Sequence, residues 1–164
     1  MSKSVEDYIN SVLRERRSEF GGKAVCPFAG PELDSQKLMI AEVGEKNLDE
    51  LIDEFKASDH ESAIFVMPED IPAEETRNFQ IFVNQLLAYK GMREYKNICF
   101  NPNDKVSVDG YNPRSLSPGF MINIAKKEVL SKASKALKKT NYYDRLPEDY
   151  LKFLKVAIKQ KEKK

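Results

Sequence analysis

Residues 62–67 read Ser-Ala-Ile-Phe-Val-Met, and the five apolar residues from Ala63 to Met67 decide the fold class. The run is strand-sized, far short of the ~18 apolar residues a membrane span requires. It lacks the alternation of a half-buried strand, so burial on both faces is expected. That places it centrally in a sheet with helices on either side.

The flanks repeat the theme. Upstream, Lys37 to Val43 reads as a strand, and Asn47 with Glu50 three places on forms a capping box. Leu48, Leu51, Ile52 and Phe55 then follow at the spacing of a helix with one buried side. Downstream, Pro68 and Pro72 break the chain, and Phe79, Phe82, Val83, Leu86 and Leu87 mark a long helix ending at Gly91. Asn97 to Phe100 reads as a short strand closed by the turn residues Asn101-Pro102-Asn103-Asp104. Val106 and Val108 alternate between Lys105 and Asp109, which would suit a fourth strand.

The ends are read as helical. Ser4 and Asp7 resemble a capping box, and Val5, Ile9, Val12, Leu13 and Phe20 predict a helix from Val5 to Phe20 that Gly21-Gly22 ends. Ser117-Pro118 suits a helix start, with Ile122, Val129, Leu130, Ala133 and Leu137 continuing a stripe. A last helix is expected from Pro147, carrying Tyr150, Leu151, Leu154 and Ile158 inward. Strands alternating with helices predict one α/β domain over residues 1–158, a single layered unit with a small mixed sheet and helices packed on it. The lysine-rich tail 159–164 is expected to fray.

Composition sets bounds. The 164 residues are 41% hydrophobic and 10% aromatic, ordinary for a globular chain able to bury one core. No apolar stretch marks a signal segment or a membrane span, so a cytoplasmic protein without membrane partners is expected. Cys26 and Cys99 are too few to staple the fold and read as reduced thiols, with Cys99 in the core. With His60 the lone histidine and no paired cysteines, a zinc site lacks donors, so no metal is expected. The segments Gly-x-Gly-x-x-Gly, the P-loop and Gly-x-Ser-x-Gly are all absent, and the residues name no cofactor.

Net charge is +1 but polarised: Ala41 to Glu75 holds twelve acidic residues against Lys46 and Lys56, whereas Lys126 to Lys164 holds thirteen basic against five acidic. The basic end could meet an acidic partner, nucleic acid included, or simply be solvated. Nucleic acid is the lesser expectation, since Tyr142, Tyr143, Tyr150 and Phe153 are expected to pack rather than stack on bases.

Three segments invite a functional reading: Val25 to Ala29, Phe100 to Asp104, and Asn112 to Pro118. Cys26 reads as a loop thiolate nucleophile or as a small packed residue beside a turn proline. Arg114, with Ser115 and Ser117, reads as an anion clamp at a helix N-terminus or as a capping segment whose arginine pairs with an acid. Asp104 reads as a base or as a solvated turn carboxylate. Asn101, Asn103 and Asn112 would complete a pocket for a small anionic molecule, with Cys26 and Asp104 as its chemistry if it is an enzyme.

The same segments carry a resemblance. The chain resembles the bacterial domain-of-unknown-function family 1415, whose members carry C-P-F-A after an N-terminal helix, F-H-P-D-Y after a strand and N-R-S-P-x-P opening a helix. Cys26 to Ala29 match intact; Phe100 to Asp104 and Asn112 to Pro118 match in altered form. Asn101 stands where the family has histidine, Asn103 is extra, and Pro113 and Leu116 interrupt the third segment. The resemblance runs from the first helix to about Leu146. It implies a shared fold and site region and, the family's activity being unassigned, no reaction.

Overall fold

The computed structural model describes residues 2–26, 29–105, 107 and 110–138. Four strands form one mixed sheet: β1 (Leu38–Glu42), β2 (Ser62–Met67), β3 (Tyr95–Phe100) and β4 (Phe120–Lys126), in the order β1-β2-β4-β3. β1 pairs parallel with β2, with Ile40 opposite Ile64. β4 runs antiparallel to both β2 and β3, setting Ile122 against Phe65 and Cys99. β1, β2 and β3 therefore point the same way, with β4 threaded back between β2 and β3. β2 is buried from Ser62 to Val66, the central strand that its unbroken apolar run predicts.

Alternation sends the strand side chains to two cores. One holds Ala63, Phe65, Ile122, Ile124 and Cys99 beneath α3 (Leu48–Ala57) and α4 (Thr76–Tyr89). The other holds Ile64, Val66 and Met121 beneath the N-terminal segment, where α1 (Ser2–Tyr8) passes into a π-helical turn over Ile9–Leu13 and, after a loop, α2 (Ala29–Asp34). Asn47 and Glu50 cap α3 reciprocally, as their spacing predicts.

Three expectations are corrected. The helix foreseen from Ser117 is instead β4, and α5 (Lys127–Lys138) begins only after it. Phe120 to Ile124 is buried on both faces apart from Asn123, so it lacks the polar alternation that separates strand from helix, and Ile122 happens to fall seven residues before Val129. The helix foreseen from Val5 to Phe20 starts at Ser2 and stops after Leu13. The charged run Arg14 to Arg17 interrupts its apolar stripe, and Arg16 pairs with Ala24 in a short hairpin around Ser18–Phe20. Gly21, at φ 66°, closes that turn in the left-handed conformation glycine tolerates. Phe82, foreseen on the inward side of its helix, is exposed. The foreseen strand around Val106 and Val108 falls largely outside the described residues, as do Asp109, the helix from Pro147 and the tail 159–164.

Candidate functional site

Because β1, β2 and β3 are parallel, the loops leaving their C-terminal ends gather at one edge of the sheet, where open α/β sheets place ligands. Two of the three singled-out segments, 100–104 and 112–118, lie here. They are tied down by side-chain amides rather than by regular structure.

Asn101 is fully buried. Its Nδ2 donates to the Ile71 carbonyl at 2.8 Å, the Pro72 carbonyl at 3.3 Å and Thr76 Oγ1 at 2.9 Å, while its Oδ1 accepts from the Asn103 N–H. The loop after β3 is thereby clamped to the loop between β2 and α4. The exposed Asn103 extends the clamp, donating from Nδ2 to Asp70 Oδ1 at 2.8 Å and to the Ile71 carbonyl at 2.9 Å.

Asp104, Asn112 and Arg114 form a second group. Arg114 is 2% exposed and its Nε lies 3.5 Å from Asp104 Oδ2. Asn112 donates from Nδ2 to the Asp104 carbonyl and accepts at Oδ1 from the Arg114 N–H. Ser115 donates to the Asn112 carbonyl, and Ser117 both donates to the Gly119 carbonyl and accepts from the Gly119 N–H. The placement of Arg114 at a helix N-terminus is corrected: it sits in a four-residue 3-10 turn, Pro113–Leu116, that leads into β4. No α-helix follows because Phe120 is drawn into the sheet. Tyr8 joins this turn to α1, its hydroxyl donating to the Pro113 carbonyl at 2.7 Å.

Cys26 comes from the N-terminal segment. It is half-buried on the return arm of the N-terminal hairpin, where its N–H donates to the Leu13 carbonyl, and it packs against the apolar cluster shared by Phe100 and Tyr111. Cys99 is buried as expected, and burial pushes its thiol pKa well above the ordinary range. Both cysteines are free thiols. Lys96, another buried charged residue, stands at the opposite end of the sheet; burial first, and the Lys127 charge second, lower its pKa to about 8.

Sequence reasoning missed a concave part of the edge. A depression of about 240 Å³ lies between the end of β2 and the start of β4, with Val66, Met67, Ile71 and Phe120 at its apolar surface and Glu69 and Asp70 among its lining. Pro68, Pro102 and Pro118 complete its walls. Gly119 lets the two strands close there, since a Cβ on it would come within 3.2 Å of Val66 Cγ1. Neither Cys26, Asp104 nor Arg114 lines it. Its local signal was only the proline-flanked acidic pair Glu69-Asp70 after an apolar strand.

Among the described residues no group of three or more His, Cys, Asp or Glu side chains could hold a metal ion, and no helix is long and apolar enough to cross a membrane. No protein-family model matches the chain, and no curated protein or solved structure matches it either.

Proposed function

We propose that the chain is a binding domain whose guest seats in the depression at the C-terminal edge of the parallel strands. The observation that carries this reading is the clamp. Asn101 and Asn103 fix the loops after β2 and β3 against each other, and Asn103 holds the Asp70 carboxylate at the rim. Such preorganisation lowers the cost of ordering a site on binding.

The lining selects the guest. Its surface is mostly apolar, its charged members are Glu69 and Asp70, and no basic residue lines it. A small amphipathic cation suits this better than the anion expected from Arg114, whose guanidinium is buried beside Asp104. The volume is below the roughly 300–1,000 Å³ of pockets that enclose drug-sized ligands, so the guest is an alkylammonium group or a basic side chain of a larger molecule. Since Cys26 and Asp104 lie outside the lining, the proposal includes no catalytic step. The resemblance to family 1415 supports a shared site region and adds no substrate.

The other reading, an adaptor presenting basic C-terminal helices to an acidic partner, rests mostly on residues 139–164, outside the described part. Within α5, Lys132 pairs with Glu128 at 3.1 Å, as an ordinary solvated helix would have it.

Calorimetric titration with butylammonium and with butyrate, equal in size and opposite in charge, tests the proposal. Butylammonium is expected to bind at about millimolar strength and to weaken about tenfold in the Glu69→Gln/Asp70→Asn variant. Equal binding of butyrate, or indifference to that variant, would contradict it.

A further inference from the structure

The outermost strands of the sheet, β1 and β3, end it in different ways. Two backbone N–H groups along β3 are taken up by side chains of α4: Asn84 Oδ1 accepts from the Asn97 N–H at 3.2 Å and Gln80 Oε1 from the Cys99 N–H at 2.9 Å. That edge is closed by amides.

The edge at β1 is open. The Val43 N–H donates to the Val66 carbonyl and the Ser62 N–H to the Lys37 carbonyl, and this parallel register turns the backbone groups of residues 39, 41 and 43 toward β2. Those of Leu38, Ile40 and Glu42 therefore face outward, and among the described residues no hydrogen bond reaches them. None of the five residues of β1 is fully buried, four are apolar, and the strand carries neither the proline nor the lysine that commonly blunts an edge. A row of outward donors and acceptors is complemented by the backbone of an extended segment, added as a further strand.

Charge selects the segment. The cations flanking β1 are already paired, Lys37 with Glu61 at 3.3 Å and Lys46 with Glu54 at 2.6 Å. Glu42 and the exposed Glu45 form no ion pair among the described residues, and Glu42 Oε2 is shielded from water without a donor. A shielded carboxylate oxygen is stabilised by a cation brought beside it. A second copy of β1 brings none: running antiparallel with all three outward residues paired, it sets Ile40 opposite Ile40 and Glu42 opposite Leu38, and running parallel in register it sets Glu42 beside Glu42.

We propose that the β1 edge receives an extended segment of a partner polypeptide, with apolar residues along Leu38 and Ile40 and a lysine or arginine against Glu42. The proposal stands without the guest of the depression.

Heteronuclear NMR of the full chain tests it with a short peptide of alternating valine and threonine that has lysine at each end. Two counterparts accompany it, one with glutamate at each end and one N-methylated throughout. The lysine peptide is expected to bind at about millimolar strength, shifting the amides of Leu38, Ile40 and Glu42 and slowing exchange of the Ile40 amide proton about tenfold at saturation. Glutamate ends, or Glu42→Gln with the lysine peptide, weaken binding about fivefold, and N-methylation abolishes it. No response along β1 up to about 10 mM lysine peptide, or equal binding of the N-methylated peptide, overturns strand addition. Equal binding of the glutamate peptide, or indifference to Glu42→Gln, overturns the basic partner. An Ile40 amide protected before any peptide is added, in a chain whose sedimenting mass rises above 18.8 kDa with concentration, assigns the edge to a second copy and overturns a partner of other sequence.

Discussion

α3 and α4 cover the same face of the sheet, and they are anchored by different means. α3 is capped within four residues, Asn47 and Glu50 each satisfying the other's backbone N–H. α4 has no side-chain cap of its own; its first residue, Thr76, is held by the Asn101 amide reaching over from the end of β3. Their inward sides are alike, with Leu51, Ile52 and Phe55 on one and Val83 and Leu87 on the other. Their outward sides are not: α3 shows Asp49, Glu50, Asp53, Glu54 and Lys56, where α4 shows Ile81, Phe82 and Tyr89. A helix whose start is written locally can stand beside any loop. One whose start depends on Asn101 couples its position to the edge where the depression lies, and Phe79 of α4 stacks edge-on against Phe120 of the depression at 5.1 Å.

The largest effects should be those that treat the two helices alike. Ile52→Ala and Leu87→Ala each remove a buried side chain from the shared core and should each cost about 2–5 kcal/mol in urea unfolding. A value under about 1 kcal/mol for either would mean that its helix is not packed as described.

Next come the anchors. Asn101→Ala leaves the Ile71 and Pro72 carbonyls and the Thr76 hydroxyl without their shared donor and should cost about 1–3 kcal/mol. Asn47→Ala removes an exposed cap worth about 1 kcal/mol. Of the two, Asn101→Ala alone should also weaken butylammonium, since the Asn101 amide joins the loops flanking the depression and Asn47 does not. If Asn47→Ala costs more than Asn101→Ala, or loosens the guest as much, the contrast between local and long-range anchoring breaks.

What was legible in the sequence follows the same division. β1, β2 and α3 could be read because each signal is contained in its own few residues: an apolar run, or a cap followed by a stripe. β4 was misread because a strand buried on both faces shows no alternation, and only its pairing with β2 and β3 distinguishes it from a helix turn. The exposure of Phe82 was hidden because Phe79 and Val83 beside it do face inward. In the candidate site, turn chemistry singled out Asn101, Asn103, Asn112 and Arg114 without their task. Their partners, Ile71, Asp70 and Asp104, are chosen by the folded chain, and the depression is made by strand ends some fifty residues apart.

Mapping butylammonium onto the backbone amides by heteronuclear NMR tests the central claim most directly. The account predicts shifts concentrated at Met67, Glu69, Asp70, Ile71, Gly119 and Phe120, with Cys26 and the α3 amides unmoved. Shifts centred on Cys26 or scattered over the acidic side of α3, with residues 67–71 unchanged, would contradict it.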